Sequence, residues 1–227
     1  MSLSAALSRL RWLYVHVPSQ QRALQKRINA VCRGWSGRVH WRTFRKILRE
    51  HPQIRSICIL GVYQGRDIAY LSAALQSEGR DYEITGVDLF DDVPGDDWPE
   101  AKRGLTWEQA GFGKPPNLKL AESNLETLGY SRGVRLIQSP AAEFLRSTTE
   151  TFDLIYIDVA HDYRTTKDVI PLAADRLNSG GILAGDDYSN FGSWGVAAAV
   201  TEQCPRHKVH YGWIWTDQPV GEPVGAR

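Results

Sequence analysis

The constraint that narrows the fold most is a recurring pattern after Pro52. Short apolar runs each end at a glycine or an acidic residue, and helical segments separate them. The runs are Ser56–Leu60 ending at Gly61, Glu83–Val87 ending at Asp88, Val134–Gln138, Phe152–Ile157 ending at Asp158, and Gly181–Gly185 ending at Asp186 and Asp187. Arg66–Gln76 and Thr165–Leu177 have helical spacing between them. Strands apolar on both sides, alternating with helices, imply an α/β fold, a doubly wound parallel sheet covered on both faces. His207–Thr216 alternates and reads as a hairpin of two closing strands.

The 227 residues suit one α/β domain, and with 42% hydrophobic residues a sizeable core can be buried. A helical extension, 1–52, precedes the 53–219 domain, and 220–227 reads as a frayed tail. In the extension, Leu3, Leu7, Leu10, Leu13 and Tyr14 recur at helical spacing. A second helix follows Pro18 and a third runs through Thr43 to Glu50. Charge is uneven: residues 1–50 hold eleven Lys or Arg against Glu50 alone, a net of +10, which leaves −9 for the rest. This asymmetry suits either a basic helical layer on an acidic body or a basic arm for an acidic partner.

Cys32, Cys58 and Cys204 are too few for a disulfide framework and lack zinc spacing, which fits a reducing, cytoplasmic setting. Arg9 and Arg11 interrupt the N-terminal apolar stretch, so neither a signal peptide nor a membrane span is expected. The stretch 89–117 has no strand pattern, and Thr106-x-x-Gln109 opens a short helix stopping near Gly111. Such an insertion at a strand's carboxyl end is either a lid or a surface loop. Its Asp91, Asp92, Asp96 and Asp97 read as a solvated run.

In open α/β sheets, ligands bind outside the carboxyl ends of the strands. Gly61-Val62-Tyr63-Gln64-Gly65 allows a tight turn before a helix start that offers free N–H groups. Asp88, 23 residues after Gly65, is placed to accept ribose hydroxyls. Ser139-Pro140 reads as a helix start. Asp158, Asp186 and Asp187 close neighbouring strands, and converging carboxylates need a cation or shifted pKa values. An all-oxygen set suits Mg²⁺, Mn²⁺ or Ca²⁺. His161, in the loop after Asp158, is a candidate general base.

The ordered set ILGVYQGRDIAYL, GVDLF, FDLIYIDVAHDY and GGILAGDDY resembles the class I S-adenosylmethionine-dependent methyltransferases. It is most similar to the metal-dependent small-molecule O-methyltransferases that act on macrolide and aminocoumarin sugars. The resemblance covers roughly 54–216 and implies a Rossmann-like seven-stranded sheet whose C-terminal hairpin adds an antiparallel strand. It implies that Gly61, Tyr63 and Gly65 line the methionine part of the cofactor, that Asp88 holds the ribose, and that Ser139 and Ala141 lie near adenine. Asp158 counts both with the cofactor and with the catalytic residues. Asp158, Asp186 and Asp187 fall on the Mg²⁺-binding positions. The pattern departs at Ile59, where the family carries an acid, at Pro140, and at Ala160, the position of the family's proposed base, for which His161 is the substitute.

The acceptor implied is a hydroxyl of a small molecule. A nucleic-acid methyltransferase using the basic segment is the first alternative, although the N/D-P-P-Y/F signature is absent. A non-catalytic binder on the same fold is the second. A serine hydrolase is disfavoured because no G-x-S-x-G elbow exists. The helical extension would either form a dimer surface or cover the cofactor.

Overall fold

The computed structural model describes residues 19–91 and 105–218. The expected first helix, Asp92, Asp96 and Asp97 of the insertion, and the tail lie outside them. The described helices are α1 (Ser19–Val31), α2 (Arg38–Glu50), α3 (Arg66–Ser77), α4 (Leu118–Leu128), α5 (Ala141–Ser147), α6 (Tyr163–Ala174) and α7 (Val196–Gln203). The strands are β1 (Ser56–Leu60), β2 (Glu83–Asp88), β3 (Val134–Gln138), β4 (Phe152–Ile157), β5 (Leu177–Gly185), β6 (Lys208–His210) and β7 (Ile214–Asp217).

The strands form one sheet in the order β3-β2-β1-β4-β5-β7-β6. β1 to β5 pair in parallel, and β7 runs antiparallel to both β5 and β6. The expected doubly wound sheet with an antiparallel hairpin is therefore present.

Period-two alternation divides each central strand between two cores. Ile57 and Ile59 of β1, Leu154 and Tyr156 of β4, and Ile182 and Ala184 of β5 face the layer of α1 to α4. Cys58, Leu60, Ile155, Ile157 and Leu183 face the layer of α5 to α7. A strand buried on both faces has no polar side to show, hence the unbroken runs in the sequence.

The N-terminal helices belong to the first core. Ile28 and Cys32 at α1, and Val39, Trp41, Phe44, Ile47 and Leu48 of α2, are buried in it. Arg66 anchors the intervening loop, donating to the carbonyls of Cys32, Gly34 and Ser36.

Three expected elements differ in detail, and α4 and α7 lie where no helix is expected. The sixth helix ends at Ala174 and β5 begins at Leu177, where the pattern predicts helix through Leu177 and strand only from Gly181. A register shift between Phe152 and Leu154 absorbs the Gly180–Gly181 step and extends the strand backwards. Thr106 and Gln109 do cap reciprocally, but they close one turn rather than a regular helix. Pro140 is the N-cap of α5 rather than its first residue, and Ser139 Oγ donates to the Pro140 carbonyl instead of capping.

Candidate active site

The strand order reverses between β1 and β4, which opens a crevice at their carboxyl ends. The Asp158 N–H donates to the Leu60 carbonyl at 2.7 Å, so the two strand exits touch. Gly61 has φ +95°, and a Cβ there would stand 1.7 Å from the Asp158 carbonyl oxygen. Only glycine fits both the backbone angle and the contact.

The turn continues through Tyr63, itself left-handed at φ 50°, to Gly65, which caps α3 at φ 88°. Asp88 holds this turn. Its Oδ2 accepts the N–H groups of Val62 and Tyr63 at 2.7 and 2.8 Å, and its Oδ1 accepts that of Phe90 at 2.8 Å. A carboxylate has about four acceptor positions, which leaves one for a ligand hydroxyl. The β2–β3 register sets Asp88 opposite Gln138, and the Ser139 N–H donates to the Asp88 carbonyl. Ser139 thus lies beside Asp88, and Ala141 opens α5 two residues further on.

Over the turn, four aromatic rings from three separate segments meet. Tyr63 stacks on Trp107 at 5.6 Å between centroids, Trp35 lies 5.1 Å from Tyr63, and Phe112 meets Trp35 edge-on at 5.9 Å. The Tyr63 hydroxyl donates to the Lys114 carbonyl. The described part of the insertion therefore rests on the glycine turn.

At the ends of β4 and β5 the carboxylates separate. Asp158, His161 and Asp187 each place a ligand atom within 4.8 Å of the others. His161 Nε2 is 2.7 Å from Asp187 Oδ2, and its ring stacks on Trp194 at 4.5 Å. Asp187 reaches this position from a left-handed φ of 54°, a conformation that aspartate tolerates better than most residues. Trp213 meets Trp194 at 6.1 Å. A cavity of about 10 Å³ lies here, lined among others by Asp158, Ala160, His161, Asp186 and Asp187.

Asp186 does not join the cluster. Its Oδ2 is 2.6 Å from Nε2 of His40 on α2, with the histidine 1% exposed. Of the three expected metal positions, the structure brings together two and adds His161.

Burial raises the Asp158 carboxyl well above its ordinary range, and the neighbouring Asp186 and Asp187 add to it. Burial raises Asp187 too, with the His161 hydrogen bond opposing. Such a cluster holds either protons or a cation. One imidazole and two carboxylates around a cavity of single-ion size fit a divalent cation.

Sequence reasoning missed His40, Trp35, Trp194 and Trp213. For His40 a signal existed: a histidine among the buried positions of α2 needs a polar partner.

A sheet in this order, with a glycine turn and an acid at the next strand end, is the architecture of class I S-adenosylmethionine-dependent methyltransferases. A family model described as "Methyltransferase domain" matches residues 58–188, and the chain belongs to this family. Among solved structures, the O-methyltransferase NovP is similar at TM-score 0.65 and 15% identity, with 82% of this chain and 81% of that chain covered. The SAH-bound methyltransferase PaMTH1 of Podospora anserina gives TM-score 0.60 and 14% identity over 95% of both chains. TomG of Streptomyces achromogenes, an O-methyltransferase involved in tomaymycin synthesis and solved with SAM, gives TM-score 0.58 and 15% identity over 93% of this chain and 98% of that chain. No curated protein matches the chain. At these identities the likenesses establish the fold.

Proposed function

We propose that this protein is an S-adenosylmethionine-dependent O-methyltransferase that acts on a hydroxyl of a small molecule, a sugar or natural product, with a divalent cation. The observation that carries this reading is the Asp158–His161–Asp187 cluster at the mouth of the β1–β4 crevice. O-methyltransferases among the similar structures, NovP and TomG, support it.

The cofactor, when bound, supplies a sulfonium-activated methyl group, so the protein's work is mainly alignment. Gly61, Tyr63 and Gly65 would border its methionine portion, Asp88 its ribose, and Ser139 and Ala141 its adenine. Asp158 and Asp187 would hold a cation such as Mg²⁺ or Mn²⁺, whose chemistry is to acidify and orient adjacent hydroxyls, with His161 beside it and not coordinated. His161, held by Asp187 and stacked on Trp194, is placed to take the proton from the attacking hydroxyl. Trp194 and Trp213 offer flat apolar surfaces beside it, suited to a sugar or ring face. Trp35, Tyr63, Trp107 and Phe112 shield the glycine turn from water.

Transfer of label from methyl-labelled S-adenosylmethionine to vicinal diols, catechols and sugars, with and without Mg²⁺ or Mn²⁺, tests this reading. Cation-dependent ether formation supports it; methylation of nitrogen or carbon acceptors alone refutes it.

A nucleic-acid methyltransferase is the second reading. It is favoured by one observation, the row of Arg38, Arg42 and Arg49 exposed along the outer side of α2. Strongly salt-dependent binding of RNA would support it. Among the described residues no helix is long and apolar enough to cross a membrane. The three buried, free thiols suit a cytoplasmic location.

A further inference from the structure

Asp186 and Asp187 are adjacent in sequence yet serve different partners. Asp187 faces His161. Asp186 turns to His40, which lies outside the matched family region and 146 residues away. The geometry at His40 is specific. His40 is the third residue of α2, and its Nδ1 accepts the N–H of Gly37 at the helix start at 3.0 Å. That bond assigns the proton to Nε2, which donates to Asp186 Oδ2. α2 is fixed in place by its packing, with Phe44 edge-on to Tyr156 of β4 at 4.9 Å.

The other oxygen of Asp186, Oδ1, is buried and has no hydrogen-bond partner among the described residues. Asp186 also lines the cavity beside Asp158, His161 and Asp187. An under-satisfied buried carboxylate next to a cation-sized cavity is costly unless something holds it there.

We propose that His40 is a positioning residue of the methyl-transfer site: its Nε2–H holds Asp186 out of the Asp158–His161–Asp187 cluster and keeps that pocket a two-carboxylate, one-imidazole set. The inference rests on the cation reading above. Its consequence is a pocket with one coordinating carboxylate fewer than the sequence run of acids implies, with the Asp186 charge still beside it. A coordination position is thereby kept open for the acceptor rather than closed by a third carboxylate. The basic N-terminal layer is then part of the site.

The test uses Mn²⁺ as probe, titrated into metal-free full-length protein and followed by electron paramagnetic resonance, with circular dichroism confirming the fold. His40→Gln keeps a donor near the Nε2 position and should bind Mn²⁺ within about threefold of the wild type. His40→Ala releases Asp186 to the cation and should bind about tenfold tighter, because ligand charge sets affinity in such sites. The pair His40→Ala with Asp186→Asn should return to the wild-type value. If the alanine variant does not fold, single substitutions decide: Asp186→Asn should leave Mn²⁺ affinity within about threefold, while Asp187→Asn should weaken it about tenfold or more.

Binding by the wild type that His40→Ala leaves unchanged, or equal shifts in the Gln and Ala variants, overturns the role of His40 alone. So does a loss in Asp186→Asn as large as in Asp187→Asn. No Mn²⁺ bound by any variant overturns the cation reading and this inference together.

Discussion

The carbonyl oxygen of Asp158 occupies the space that a side chain on Gly61 would need, 1.7 Å from where its Cβ would stand. The exits of β1 and β4 thus bring the glycine turn into direct backbone contact with Asp158 of the carboxylate cluster. Gly61→Ala must push the strand ends apart and adopt a left-handed φ as well. A loss of at least about 3 kcal/mol is expected, or about 6–12 °C in melting temperature for a domain of this size. Thermal unfolding checks this, and a variant that melts within a degree or two of the wild type would show that the contact is relaxed in solution.

His161→Ala should lower kcat by about 10²–10⁴ and leave S-adenosylmethionine affinity nearly unchanged, since an interaction made at the transferring hydroxyl affects turnover rather than cofactor binding. Steady-state rates with an accepted acceptor, together with a cofactor titration, separate the two. Full activity in the variant would remove His161 from the mechanism.

Burial raises the carboxyls of Asp158 and Asp187 above the ordinary value of 3.8 that they have in the unfolded chain. For an acid with a raised folded pKa, the native state binds more protons, so stability falls as pH rises through that pKa. In a chelator, melting temperature should decline from about pH 4 upward, and Asp158→Asn should flatten the slope. Near neutral pH, Mn²⁺ should restore stability, because it binds only the folded form. A flat profile in chelator would contradict the burial of these carboxyls.

Burial raises the thiols of Cys32 and Cys204 to about 12 and lifts Cys58 further. Thiolate is the reactive form, so a thiol-specific reagent at pH 8 should label none of the three in the native protein and all three in denaturant. Rapid native labelling would show that a covering element opens.

The sheet was legible because each strand carries apolar residues for two cores, as Ile57 and Ile59 against Cys58 and Leu60 show. Its acidic and glycine-bearing ends were legible for the same reason, since a strand's end marks where burial stops. α4 escaped notice although Asn117 caps it through the Leu120 N–H and Gly129 closes it, because the irregular insertion before it masks the start. The pairing of Asp186 with His40 was not legible, although a histidine on the buried side of α2 signals a need for some polar partner. Neighbouring strands place Asp158, Asp186 and Asp187 at one edge, but which side chain turns inward depends on His40, brought there by packing of α2. The aromatic group of Trp35, Tyr63, Trp107 and Phe112 likewise joins segments with no shared pattern.

The most direct test is calorimetric titration of the folded, metal-stripped protein with S-adenosylmethionine, alongside Asp88→Ala. One-to-one saturable binding is expected for the wild type, weakened at least about tenfold in Asp88→Ala, which loses both the proposed ribose acceptor and the carboxylate that holds the turn. No binding by folded wild-type protein would contradict the account and mark the chain as a methyltransferase fold that no longer takes the cofactor.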